Sequence, residues 1–113
     1  MSYQAEIEDY EDAATGELLS IAELQFSLAS RDTLYTSSLS LQDRERVHEL
    51  DRMFIERAGE VRSFLATYGD ADGIFNDKPL QRWWWHITRI ATGHMSIDLP
   101  NRTVVYEGQT YKY

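Results

Sequence analysis

Residues 40–69 read SLQDRERVHELDRMFIERAGEVRSFLATYG, the stretch with the strongest periodicity in the chain. Val47, Leu50, Phe54, Ala58, Val61, Leu65 and Tyr68 follow one another at intervals of three, four, four, three, four and three residues. Side chains three and four apart share one face of an α-helix, so the spacing predicts a single helix of about 27 residues with a near-heptad apolar seam. Ser40 followed by Asp43 supplies an N-cap signature, and Gly69 stands where a left-handed C-terminal cap would sit. At 1.5 Å of rise per residue the helix would be about 40 Å long, more than a compact domain of this size needs. The excess predicts a helical hairpin, or a homodimer in which the seam meets its copy. Arg57 falls within the apolar arc. A charge there requires a stem lying along the seam with its head in water, or an ion pair with an acid of the N-terminal segment or of a second subunit.

Downstream, Asp77-Lys78-Pro79 reads as the start of another helix, since Asp caps well and Pro is tolerated in a first turn. Leu80, Trp83, Trp84, Ile87, Ile90 and Ala91 fall on one face of it, and Gly93 ends it. The period then changes to two. Met95, Ile97 and Leu99 alternate up to the turn dipeptide Pro100-Asn101, residues 103–106 are β-branched and aromatic, and Glu107-Gly108 makes a tight turn into residues 110–113. Upstream, Leu18 to Ala29 suggest a short helix beginning after Thr15 or, by the Ser20/Glu23 capping spacing, after Ser20. The alternation of Leu24, Phe26 and Leu28 would also suit a strand, and Thr33 to Ser40 reads as a connection. The expected fold is therefore α+β and mainly helical: three helices, one of them long, with a C-terminal antiparallel β-hairpin or small meander. Residues 1–14 are expected to form an acidic flexible arm, and residues 15–113 a single globular domain.

Composition narrows the chemistry. The 113 residues include no cysteine, which excludes a disulfide framework, a thiolate metal site and a cysteine nucleophile. Nineteen acids face eleven bases, and residues 1–30 hold seven acids with no Lys or Arg, while the remaining 83 hold twelve acids against eleven bases. Without a polybasic stripe, direct binding of nucleic acid by counterion release is not expected. No run approaches the roughly 18–20 apolar residues that span a bilayer, and the first residues carry no basic-then-apolar leader, so a cytoplasmic protein without membrane contact is expected.

Candidate site residues come from two places. In a helix, Trp85 would point away from the face of Trp83 and Trp84, joining Arg82 and Arg89 at i, i+3 and i+7 in a patch of the residue types enriched at binding hot spots. The competing expectation is that the C-terminal strands cover Trp85. Tyr3 and Tyr10 punctuate the acidic arm and make it a second candidate contact. Asp70-Ala71-Asp72-Gly73 resembles a calcium loop, but aligning Gly73 with the loop glycine puts Tyr68 and Pro79 at its outer ligand positions, so Asp and Gly are expected as turn formers. His48, His86 and His94 lie in no metalloprotease or deaminase spacing, and no phosphate-cradling loop, nucleophile elbow or dinucleotide fingerprint is present. No cofactor, metal or catalytic residue is assigned. These features predict a non-enzymatic protein-binding, assembly or regulatory factor that self-associates through its long helix. One alternative is an acidic decoy for a basic, nucleic-acid-binding site on a partner. The other is a small enzyme with a weak divalent-metal site near Asp70 and Asp72.

Overall fold

The computed structural model describes residues 2–69 and 71–113. Among them the chain forms five α-helices, one short 3-10 helix and a three-stranded antiparallel sheet, so the α+β class holds. The order is α1 (Gln4–Thr15), α2 (Ile21–Tyr35), α3 (Leu41–Glu56), α4 (Ala58–Ala66), the 3-10 helix (Trp83–His86), α5 (Ile87–Ala91), then β1 (Met95–Asp98), β2 (Thr103–Tyr106) and β3 (Gln109–Lys112). The chain divides into two compact units, the first ending at Phe54 and the second starting at Ile55. That division falls inside the segment 15–113 expected as one domain.

In the first unit, residues expected as a flexible arm form α1. Ile7, Tyr10, Ala13 and Ala14 recur at three- and four-residue spacing and are buried, with α1 packed on α2. Ser20 caps α2, its Oγ accepting from the Glu23 amide at 3.1 Å, which realises the later of the two expected starts. The helix then runs to Tyr35, well into the stretch expected as a connection. Its buried face comprises Leu24, Ser27, Leu28, Arg31 and Leu34, a period that excludes the strand alternative and turns Phe26 outward. Ser40 caps α3 as expected, accepting from the Asp43 amide at 3.1 Å.

The long helix is two helices. The α-pattern stops at Glu56 and restarts at Ala58, with Arg57 as the N-cap of α4 at φ −97°, ψ 15°. Gly59, in the first turn of α4, is a weak helix former, and the Arg57 guanidinium holds Glu60 through two hydrogen bonds of 3.2 and 2.9 Å. Arg57 thus has a largely covered side chain, 13% exposed, and an ion pair with Glu60 three residues on. Val47, Leu50, Phe54, Ala58, Val61 and Leu65 are all buried within the chain itself, which leaves only Tyr68 of the seam exposed. The face that the expected homodimer would use is therefore already covered.

The second unit departs further from the expected third helix. An α-helix starting at Pro79 would bond the Arg82 amide to the Lys78 carbonyl. Instead the Arg82 amide goes to Pro79 O at 3.0 Å, and His86 Nε2 donates to Lys78 O at 2.7 Å. The Trp85 amide likewise reaches back only three residues, to Arg82 O at 3.1 Å. The tryptophans therefore lie in a 3-10 helix and only Ile87–Ala91 is α-helical, packed on α4. The C-terminus is the three-stranded meander β1-β2-β3. Tyr106 pairs with Gln109 across a two-residue turn in which Glu107 (φ 51°) and Gly108 (φ 77°) are both left-handed, the geometry whose twist suits a hairpin.

Candidate functional site

The first unit is organised around a buried ionic cluster. Arg31, on α2, grips Asp51, on α3, with two parallel hydrogen bonds of 3.0 Å. Tyr10, on α1, donates its hydroxyl to the same carboxylate at 2.6 Å. Arg31 is 3% exposed, Asp51 4% and Tyr10 0%. The planar guanidinium fits a carboxylate two bonds at a time, and the phenol satisfies a further lone pair. Burial pushes the Tyr10 phenol well above its ordinary value, and the Asp51 charge adds to that. The phenol is a fixed donor at neutral pH. Three helices are tied at one point, and Tyr10 also meets the Phe54 ring edge-on at 5.9 Å.

This placement removes Tyr10 from the candidate contacts, because it reaches no solvent. Tyr3 is half-buried at the N-cap of α1, its carbonyl accepting from the Ile7 amide at 3.0 Å. Of the expected Arg82/Trp85/Arg89 patch, Trp85 is not an exposed contact either. Trp85 is 5% exposed, edge-on to Phe75 at 5.1 Å, with the Lys78 ammonium 4.8 Å above its ring. Arg89 donates to Asn76 Oδ1 at 3.1 Å and its guanidinium stacks on Tyr106, 4.8 Å from the ring centre. Arg82 is half-buried at the N-cap of the 3-10 helix.

Asp72 is held by Arg62 through two bonds of 3.0 Å, and this hydrogen-bonded guanidinium lowers the Asp72 carboxyl below its usual range. Asp70 lies outside the described residues. Among the described residues no group of three or more His, Asp or Glu is placed to hold a metal ion. Two polar atoms in the tryptophan turn, Trp83 Nε1 and His86 Nδ1, are buried without a hydrogen-bond partner among the described residues. Desolvation lowers the His86 pKa, so the neutral imidazole is favoured, with its proton on the Nε2 that donates to Lys78 O.

An open recess lies in the first unit. The end of α1, the connection 16–20 and the first turns of α2 enclose a cavity of about 530 Å³. Its apolar lining includes Ala13, Leu18, Leu19, Ala22, Leu24 and Phe26, and its acids are Asp9, Asp12, Glu17 and Glu23. Leu19 is 60% exposed and Phe26 63%. No Lys or Arg lines it. Asp9 accepts from Ser30 Oγ at 3.1 Å, and among the described residues the side chains of Asp12, Glu17 and Glu23 have no ion-pair partner. Sequence reasoning saw the acids and missed the recess. The signal was available in the Ile7/Tyr10/Ala14 stripe, which makes α1 a packed helix able to form one wall.

The chain matches no protein-family model, no curated protein and no solved structure. No helix among the described residues is long and apolar enough to cross a membrane.

Proposed function

We propose that this protein is a small non-enzymatic interaction factor that engages a basic surface of a partner protein through its acidic first unit. The observation that carries this reading is the segregation of charge. Residues 1–54 hold twelve acids and four bases, a net −8, whereas residues 55–113 hold seven of each. The whole net charge of the sequence belongs to one of the two compact units. Three of its four arginines are already engaged, Arg31 by Asp51, Arg46 by Glu11 and Arg52 by Glu49. A concentrated single-sign field attracts an oppositely charged partner and repels others, giving rapid association and selectivity. Where the partner's basic surface is its nucleic-acid site, occupying it makes this protein a competitive decoy.

The test is capture of partners by the intact protein at low and at high salt, followed by elution with heparin. The expected result is a partner of high isoelectric point, released by salt and by the polyanion, since screening weakens exposed charge pairs. A partner set without basic bias that is retained equally at both salt levels would refute the charge reading.

A further inference from the structure

Building on that reading, we infer that the recess at the α1–α2 corner is a docking site for a cationic amphipathic segment of a partner protein, in which Lys or Arg flank bulky apolar side chains. A volume of about 530 Å³ lies within the roughly 300–1,000 Å³ typical of cavities that enclose a ligand, and it can admit more than one side chain. Two apolar residues of its lining, Leu19 in the connection 16–20 and Phe26 on α2, are more than half exposed. Asp12, Glu17 and Glu23 line the same recess, and no Lys or Arg is in the lining. An apolar floor alone would suit many occupants. Acids of one sign around it select a segment with apolar side chains for the floor and cations for the rim, and disfavour a second copy of this acidic unit.

The walls are preformed. Asp9 is held by Ser30, Ser20 caps α2 between Leu19 and Ile21, and Tyr10 anchors α1 to Asp51. The docking segment therefore orders itself on a rigid surface, and the site itself gives up little freedom. Leu19 and Phe26 supply the apolar contact, and the three carboxylates set orientation and salt dependence.

The experiment uses the full chain and three synthetic peptides: one with Leu on one helical face and Lys on the other, a Lys/Ser peptide of equal charge, and a Leu/Glu peptide of equal apolarity. The expected result is saturable binding of the Leu/Lys peptide alone, weakened about tenfold by Phe26→Ser and by Leu19→Ser, and also weakened by Glu17→Gln with Glu23→Gln. Both apolar residues are exposed, so thermal unfolding of these variants should match the native chain and separate lost binding from lost fold. If the Lys/Ser peptide binds as well and Phe26→Ser is indifferent, the docking site is overturned while the charge reading survives. If no cationic peptide binds, both are overturned. Equal binding of the Leu/Glu peptide overturns the role of the carboxylates.

Discussion

Replacing Asp51 by Asn removes one charge from the buried cluster at constant shape. Asp51 accepts three hydrogen bonds, two from Arg31 at 3.0 Å and one from Tyr10 at 2.6 Å. The amide cannot balance the guanidinium, and its NH2 faces a donor. Removing the carboxylate charge that Arg31 grips, while the guanidinium stays 3% exposed, costs about 3–5 kcal/mol, whatever the intact pair contributes relative to an apolar pair. Against a typical total of about 5–15 kcal/mol, that is at least about a fifth of the stability. With a urea dependence of about 2 kcal/mol per molar, the unfolding midpoint should fall by about 2 M. Tyr10→Phe keeps the ring packed on Phe54 and the Arg31 pair intact, so it should cost only about 1.5–3 kcal/mol, the range for a hydrogen bond to a charged acceptor. The decisive variant is the double replacement Arg31→Met with Asp51→Leu. It buries no charge, so it should unfold at higher urea than Asp51→Asn, within about 2 kcal/mol of the native chain or above it. Equilibrium urea unfolding followed by circular dichroism measures all three. A shift of less than about 0.5 M for Asp51→Asn, or a double variant no more stable than the single, would refute the reasoning.

Three further outcomes follow from the geometry. Because burial depresses the His86 pKa, the unfolded chain takes up a proton near pH 6.5 that the folded chain resists. Stability should therefore fall as pH drops below about 6.5, and His86→Gln should flatten the melting temperature between about pH 7.5 and 5.5. Ser20→Ala removes the acceptor for the Glu23 amide, and a calorimetric scan should show a loss of about 1 kcal/mol, a drop of roughly 4 °C. Trp85→Ala should cost about 3–5 kcal/mol in chemical unfolding, whereas Phe26→Ala should stay within about 0.5 kcal/mol; the reverse order would mean that the expected Trp85 surface patch exists after all.

Much of the local structure could be read from residues close together in the chain. The Ser20 and Ser40 caps, the break in period after Gly93 and the Glu107-Gly108 turn each depend on contacts within a few positions. Readings that assumed one helical period over a long span failed where a local competitor intervened. His86 takes the Lys78 carbonyl and turns the expected α-helix into a 3-10 turn. Arg57 and Gly59 break the 40–69 periodicity even though the apolar spacing runs through them. The acids of residues 1–14 drew the reading toward a solvated arm, while the sparse Ile7, Tyr10, Ala13 and Ala14 stripe sufficed for a packed helix.

By itself, then, the sequence determined the α+β class, the absence of cysteine chemistry and the concentration of negative charge near the N-terminus, because these depend on composition and short-range pattern. Only the tertiary structure decided that Tyr10 faces inward, that the seam is already covered, and that acids line one recess together with Leu19 and Phe26. Those outcomes depend on meetings such as that of Arg31 with Asp51, twenty residues apart in the chain. No periodicity encodes such a meeting, because it is the packing of three helices that brings the two charges out of water together and fixes which face of each helix remains outside.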